Sequence, residues 1–248
     1  MMARRRDGGQ RGRNWMLKTI LFDLDGTLLP MDQDQFVQSY FSRLAKKMAD
    51  RIDPKQLVDT IWKGTGAMIM NDGRATNEQV FWQVFDKLTG LHHETLEEEF
   101  FDYYKNEFNE AVEACAPTPL ANEIVRALKA KGYTLVLATN PIFPRIATEN
   151  RIRWAGLDQN DFAWITTFES CRYCKPNPKY YEEILNRLQL DPKQCVMIGN
   201  DVKEDMTARL LGMEGWLITD CLLNTEKLPV ECEFEGTLAE LLKKIETL

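Results

Sequence analysis

The chain has 248 residues, of which 44% are hydrophobic and 28% charged, a balance typical of an ordinary globular protein. This composition excludes a mainly disordered, collagen-like or low-complexity chain, and no apolar run approaches the roughly 20 residues that span a bilayer, so no membrane partner is expected. The formal net charge of −7 argues against a nucleic-acid partner, and six scattered cysteines without a signal peptide predict a cytoplasmic protein with reduced thiols.

The chain begins with a basic segment, residues 1–15, that contains five arginines and no hydrophobic periodicity. We predict a disordered tail there, because nothing in the segment could anchor it to a core. A basic arm that binds nucleic acid is the alternative interpretation, and it rests on charge alone.

Short apolar runs alternate with helical patterns along most of the remaining chain. Because continuous apolar runs separated by helices are typical of buried parallel strands, they predict an α/β fold with a mostly parallel sheet. The runs lie at residues 19–22, 134–138, 164–166, 195–198 and 216–218.

Helix starts are marked in the same part of the chain by capping residues. Thr118, Asn177 and Asp191 are each followed by proline, which favours the first helical position. Thr237 and Glu240 have the spacing of a capping box, which predicts the last helix.

The segment 31–117 differs, since it contains no clear strand and repeats large apolar residues at four-residue spacing. We predict an all-helical insert of four or more helices, placed after the first strand. The insert divides the α/β part into residues 16–30 and 118–248. The predicted helix starts inside it are Asp53, Thr76 and Thr95.

Polar residues follow three of the predicted strands. Asp23 and Asp25 come directly after the first strand, and residues two apart in an extended segment point the same way. Two neighbouring carboxylates require a cation or a raised pKa on one of them. A hard cation such as Mg²⁺ binds one or two carboxylates together with a substrate phosphate. An aspartate can also act as a nucleophile toward phosphorus, or as a proton donor.

The other two strand ends extend this pattern. Asp201 and Asp205 have the spacing that puts both carboxylates on one face of a helical turn, and with Asp23 they form an acidic cluster. Thr139 and Asn140 offer a hydroxyl and an amide as donors to phosphate oxygens. A positive charge near this cluster is available from Lys175.

Four segments together resemble the sequence motifs of the haloacid dehalogenase-like (HAD) hydrolases. They are ILFDLDGTLLP at 20–30, LVLATN at 135–140, KPNPKYYEEIL at 175–185 and VMIGNDVKEDM at 196–206. The resemblance extends over the chain from about residue 17 onward. It implies a Rossmann-like core, with the helical insert as the family's C1-type cap.

The resemblance also implies a role for each matching residue. Asp23 is the expected nucleophile, Asp25 the general acid and base, and Lys175 the residue that balances charge on the nucleophile and the phosphate. Dehalogenase members lack the second aspartate, so Asp25 points to phosphoryl transfer. Mg²⁺ is expected to be held by Asp23, the Asp25 main-chain carbonyl and Asp201. Phosphate is expected to be bound by Thr139, Asn140 and Lys175. Asp205 and Asn200 are expected to support the site, and Asn200 stands where some relatives have an acidic ligand.

These expectations predict a Mg²⁺-dependent phosphatase that hydrolyses a small phosphorylated metabolite through an aspartyl-phosphate on Asp23. A phosphomutase or phosphotransferase that uses the same residues is one alternative. A non-catalytic regulator that keeps the metal site is the other. The oligomeric state and the identity of the substrate cannot be predicted from the sequence.

Three further features have an ordinary and a functional interpretation. Cys171 and Cys174 form a CxxC pair, for which free thiols are favoured over a redox pair or half of a zinc site. His92 and His93 are predicted in a surface loop of the insert, and a metal-binding or acid–base role is the alternative. Surface charge is the favoured interpretation of the basic residues Lys63 and Arg74, and contact with substrate is the alternative.

Overall fold

The computed structural model describes residues 16–248, so the tail predicted for residues 1–15 lies outside the described residues. Within the described range, six strands form one sheet in the order β3-β2-β1-β4-β5-β6, and every strand pairing is parallel. The predicted α/β fold is confirmed. The strands are β1 (Thr19–Phe22), β2 (Thr134–Leu137), β3 (Trp164–Ile165), β4 (Cys195–Gly199), β5 (Glu214–Ile218) and β6 (Phe234–Gly236).

Helices connect most of these strands, and the last helix follows β6. The α-helices are α1 (Gln33–Lys47), α2 (Pro54–Ile69), α3 (Asn77–Thr89), α4 (Glu97–Lys105), α5 (Pro119–Ala130), α6 (Arg145–Trp154), α7 (Pro178–Leu188) and α8 (Leu238–Glu246). Short 3₁₀-helices are found at His93–Thr95, Glu107–Ala114, Gln159–Asp161, Pro192–Gln194 and Met206–Leu211. In residues 16–248 no helix is both long and apolar enough to cross a membrane.

Both faces of the sheet are buried. Ile20 and Phe22 pack in one hydrophobic cluster, which includes side chains of α5 and α8, whereas Leu21 packs in a second cluster with side chains of α7. Alternate residues of a strand point to opposite faces, so a strand covered on both sides reads as a continuous apolar run. This is the physical reason why β1 was predictable from sequence.

The predicted caps are mostly confirmed. The side chains of Asp53, Thr118 and Asn177 accept backbone N–H groups at the starts of α2, α5 and α7. Capping boxes at Thr76 and Thr237 begin α3 and α8. Each cap satisfies a backbone donor that the first helical turn would otherwise leave unpaired.

The predicted helix start at Thr95 is wrong. α4 begins at Glu97 with Leu96 in the capping position and no side-chain cap. The Thr95 hydroxyl donates instead to the carbonyl of His92 at 2.7 Å, and the residue ends a 3₁₀ turn. Local bonding of this kind competes with capping for the same hydroxyl.

The helical segment between β1 and α5 enters and leaves the sheet at one place. Met31 and Cys115 form an antiparallel bridge, the amide of Asp32 donates to the carbonyl of Ala114, and the amide of Ala116 donates to that of Pro30. The two connections therefore run side by side, at the carboxyl edge of the sheet where β1 ends.

Candidate active site

The carboxyl ends of three adjacent strands meet at one cavity. β1 is followed by Asp23, β2 by Thr139 and Asn140, and β4 by Asn200 and Asp201. All five residues line a cavity of ≈ 1190 Å³ that also extends between the helices of the segment 31–117. Ligand sites of open α/β sheets lie at this edge, beside the strand where the connections change direction. The structure thus brings together residues that are far apart in sequence.

Lys175 lies between two of the predicted aspartates. Its Nζ is 2.9 Å from Oδ1 of Asp23 and 2.7 Å from Oδ1 of Asp205, and its side chain has no exposed surface. Burial alone would lower the pKa of Lys175, but the charges of Asp205 and Asp23 raise it well above its ordinary value. The lysine is therefore a fixed positive charge beside the Asp23 carboxylate.

Asp25 is held by an arginine that the sequence analysis did not single out. Arg151 of α6 donates from Nη1 to Oδ2 of Asp25, and its side chain is only 1% exposed. The guanidinium also packs 4.4 Å above the ring of Phe143. The sequence carries no local signal for Arg151, because three of the five buried residues of its helix are polar and leave no apolar stripe.

The second carboxylate oxygen of Asp25 differs from the first in its hydrogen bonding. Among the described residues, Oδ1 of Asp25 is buried without a hydrogen-bond partner. Burial raises the pKa of this carboxyl, the charge of Arg151 opposes the rise, and the charge of Asp23 adds to it. One oxygen is therefore fixed in place while the other is free to hold a proton, which is the arrangement that a general acid requires.

The turn after β1 depends on a glycine and a threonine. Gly26 has φ +86°, and a Cβ there would lie 2.4 Å from Nδ2 of Asn200. The hydroxyl of Thr27, also missed in the sequence analysis, lies 3.1 Å from Oδ2 of Asp23 and 3.0 Å from Oδ1 of Asn200. The Asn200 amide donates to the carbonyl of Cys221 at 2.7 Å. Asn200 thus joins the β1 turn to the loop after β5, which is a supporting contact.

The turn after β4 carries three acidic residues. Oδ1 of Asp201 accepts the backbone N–H groups of Lys203 and Glu204, and Oδ2 of Asp205 accepts the N–H of Asp201 at 2.9 Å. Glu204, which the sequence analysis did not select, lines the same cavity. Burial raises its pKa to about 7, although the charge of Lys175 opposes the rise.

Asn140 is engaged by the protein itself. Its Oδ1 accepts the N–H of Lys175 at 3.2 Å, and its Nδ2 donates to Oε2 of Glu204 at 3.0 Å. The Thr139 carbonyl accepts from the hydroxyl of Tyr180 at 2.8 Å and from Thr166, which fixes the backbone that follows β2. A phosphate-binding role for Thr139 and Asn140 stays a prediction.

The donor set of this cavity fits a hard divalent cation. The carboxylates of Asp23, Asp201, Glu204 and Asp205 line it, and Lys175 contacts two of them. Such an excess of carboxylate oxygen over positive charge is what Mg²⁺ prefers. A separate group on the helical segment, formed by Asp86, His92 and Glu94, also brings ligand atoms close together, but it is largely exposed.

The other residues with two interpretations behave as ordinary surface or core groups. Lys63 pairs with Asp59 and Arg74 with Asp72, both on the surface. Cys171 and Cys174 are buried free thiols, as favoured from sequence. Burial raises the pKa of Cys171 to about 12.

Comparisons with known proteins agree with this geometry. A sequence model described as haloacid dehalogenase-like hydrolase matches residues 17–210. A glyceraldehyde 3-phosphate phosphatase of Methanothermobacter thermautotrophicus is 26% identical over 87% of this chain and 92% of its own length. A phosphoglycolate phosphatase of Colwellia psychrerythraea is 27% identical, over 77% and 79%. The crystal structure of a HAD phosphatase from Thermococcus onnurineus has the same fold, with a TM-score of 0.59 at 22% identity over 92% of this chain and 98% of that one.

Proposed function

The chain belongs to the haloacid dehalogenase-like hydrolases, and we propose that it is a Mg²⁺-dependent phosphatase acting on a small phosphomonoester through an aspartyl-phosphate on Asp23. Relatives that match most of the chain are named as phosphatases of small phosphorylated compounds. The observation that carries the proposal is the contrast between the two aspartates after β1. Asp23 is paired with a buried lysine, whereas Asp25 keeps one buried oxygen without a partner.

In the first step an oxygen of Asp23 attacks phosphorus, and the bond from phosphorus to the leaving oxygen breaks. Asp25 gives its proton to that oxygen, so the alcohol leaves neutral. Lys175 balances the negative charge of Asp23 and of the phosphoryl oxygens, and Thr27 orients the Asp23 carboxylate.

In the second step Asp25, now ionised, takes a proton from water. The water oxygen attacks phosphorus, the bond between Asp23 and phosphorus breaks, and inorganic phosphate leaves. Arg151 holds Oδ2 of Asp25 through both steps, so we assign it as a positioning residue.

The residues that would hold Mg²⁺ are Asp23 and Asp201 through their carboxylates and Asp25 through its main-chain carbonyl. The ion would neutralise charge that develops on the phosphoryl oxygens. Hydrolases of this family generally use a divalent metal, and the local excess of carboxylates supports that requirement here.

The same proposal divides the chain into a catalytic core, residues 16–30 and 118–248, and a cap, residues 31–117. The adjacent crossings at Met31 and Cys115 and the lining of the cavity by both parts support the division. A cap attached in this way could exclude bulk water while it is closed and release product when it opens.

The test is phosphate release from p-nitrophenyl phosphate by the full chain. Release is expected with Mg²⁺, and it should be lost with EDTA and in Asp23→Asn, because an amide is a poor nucleophile. Asp25→Asn is expected to slow the reaction by about 10²–10⁴-fold, the usual contribution of a general acid or base. Normal turnover by a folded Asp23→Asn protein would refute the mechanism. If an added sugar acceptor makes p-nitrophenol release exceed free phosphate release, with the difference recovered as sugar phosphate, the phosphotransferase alternative is favoured.

A further inference from the structure

The cavity is much larger than a phosphate group needs. Its volume of ≈ 1190 Å³ exceeds the range of about 300–1,000 Å³ that is usual for small-molecule sites, and Asp23 and Asp25 form only part of its lining. The remaining wall comes from α1–α4 and from two core segments, near Phe143 and Phe168. In a phosphatase this wall faces the leaving group, so its chemistry determines which esters bind.

Much of the wall is aromatic. Each of the helices α1 to α4 contributes at least one aromatic side chain to it. Trp62 and Phe101 remain 51% and 57% exposed although they line the cavity, and the ring of Phe41 lies 5.3 Å from that of Trp62. Aromatic faces attract apolar surface and, through their quadrupole, positive charge.

The rest of the wall is acidic, with its arginines already paired. The two arginines of α6 that line the cavity are both paired: Arg145 with Glu149 at 2.7 Å, and Arg151 with Asp25. Five further carboxylates therefore give the outer wall a net negative charge. They are those of Glu78, Glu94, Glu97, Glu98 and Glu169.

Two of these carboxylates meet where the cap contacts the core. The N–H of Glu78 donates to the carbonyl of Phe168 at 2.9 Å, which places Glu78 beside Glu169. Burial and the charge of Glu169 raise the pKa of Glu78. Oε1 of Glu169 accepts a backbone N–H at 2.8 Å, while Oε2 is buried and has no hydrogen-bond partner within residues 16–248. Because no protein donor compensates this buried oxygen, the Glu169 carboxylate adds to the negative charge that this part of the wall presents to a ligand.

We propose that the cavity selects phosphomonoesters whose leaving group is a positively charged amine with an apolar surface. The inference rests on the proposed phosphatase function, and it adds the substrate class. Glu78 and Glu169 attract the amine, exposed faces such as that of Trp62 cover its apolar part, and a carboxylate or a second phosphate in the same place is repelled. The phosphoryl group itself is bound at the far end of the cavity, beside Lys175.

Substrate pairs that differ mainly in charge test this directly. Phosphocholine is compared with 3,3-dimethylbutyl phosphate, its uncharged isostere, and pyridoxamine 5′-phosphate with pyridoxine 5′-phosphate. We expect kcat/KM for the cationic member to exceed that of its partner by at least about tenfold in one or both pairs. A smaller preference in both pairs overturns the inference. The anionic 2-phosphoglycolate should be the poorest substrate, and turnover of it above that of phosphocholine overturns the inference as well.

The origin of the preference is tested with variants of the full chain. Glu78→Gln and Glu169→Gln together should reduce the ratio of kcat/KM within the preferred pair by at least about threefold, since two negative charges are removed at nearly constant shape. Glu123→Gln, on an exposed position of α5 outside the cavity, should keep the ratio of the wild-type protein. An unchanged ratio in the folded double variant overturns the inference.

Failure of the inference is distinct from failure of the proposed function. Mg²⁺-dependent release from p-nitrophenyl phosphate without any preference for amines removes only the substrate class. Absence of Mg²⁺-dependent release from p-nitrophenyl phosphate and from all the paired substrates removes the phosphatase and, with it, this inference.

Discussion

Arg151→Met is the most informative substitution, because the side chain is buried and its pairing partner is the proposed acid. Methionine keeps most of the volume and removes the charge. Taking one partner out of a buried ion pair costs about 3–5 kcal/mol, since the remaining charge loses its compensation. The pKa of Asp25 is already raised by burial, so protonation relieves part of that penalty, and about 3 kcal/mol is expected. For a chain of this size that corresponds to a fall in Tm of about 6–12 °C.

The same substitution should lower kcat and leave KM nearly unchanged. Arg151 touches Asp25 and not the substrate in this mechanism, so its removal costs part of the contribution of the general acid, about 10–100-fold. Arg151→Lys restores the charge but not the planar fork, and it should recover part of the rate. Arg126→Met is the control, because Arg126 is exposed on α5 and away from the site, and its effect on stability should stay within about 0.5 kcal/mol.

A double-variant cycle separates positioning from a merely structural role. If Arg151 acts through Asp25, then Arg151→Met should have almost no effect on kcat in the Asp25→Asn background. Both backgrounds are measured at a temperature where thermal unfolding monitored by circular dichroism shows the variants folded. A full additional loss of rate in the double variant would refute the assignment and indicate that Arg151 contacts the phosphoryl group.

Three other predictions follow from the same contacts. Lys175→Met should abolish turnover and lower the free energy of unfolding by about 3–5 kcal/mol in urea titrations, because two buried carboxylates lose their counter-charge; unchanged stability would contradict the pairing. Gly26→Ala should lower the free energy of unfolding more than Gly156→Ala does. Both glycines have positive φ, so each substitution adds a backbone strain of about 1–2 kcal/mol, but only the Cβ at position 26 would also meet Asn200. Equal losses of unfolding free energy in the two variants would show that Asn200 moves aside at no cost. Cys171 should resist alkylation by iodoacetamide in the native protein at about pH 8, because a thiol of pKa about 12 is protonated there. The same thiol should be alkylated in denaturant. Rapid labelling of the native protein, detected by mass spectrometry, would contradict the burial of Cys171.

The strands that carry the site were predictable because their signal is local. β1 and β4 are four and five residues long and buried along their whole length, so each is an uninterrupted apolar run followed by polar residues. The edge strand β6 was missed, because its central Glu235 is exposed and its buried residue is a glycine, which leaves no apolar run to detect. A strand at the edge of the sheet is visible in sequence only where it keeps an apolar run, as β3 does with Trp164 and Ile165 and β6 does not.

Helix α6 was not predicted, and its absence from the sequence analysis explains why Arg151 was missed. Five of its ten residues are buried, but three of those are Thr148, Asn150 and Arg151, so the buried face has no apolar stripe. The Thr148 hydroxyl donates to the carbonyl of Pro144, one turn earlier, whereas Asn150 and Arg151 are tolerated because each has a distant partner. The amide of Asn150 donates to the carbonyl of Tyr104 at 2.6 Å, and the guanidinium meets an aspartate 126 positions away. Only the fold supplies those partners.

The charge balance of the site also depends on contacts between residues that are far apart in sequence. From sequence, Asp23, Asp201 and Asp205 form an acidic cluster that implies a metal, with Lys175 as one positive charge opposite it. The structure shows that this lysine is committed to two of the three, and it adds the buried carboxylate of Glu204. The demand for a cation is therefore greater than the motifs alone indicate. Because neither the pairing of the lysine nor the burial of the additional glutamate is a local property of the chain, the sequence could predict the chemistry of the site but not the size of its charge imbalance.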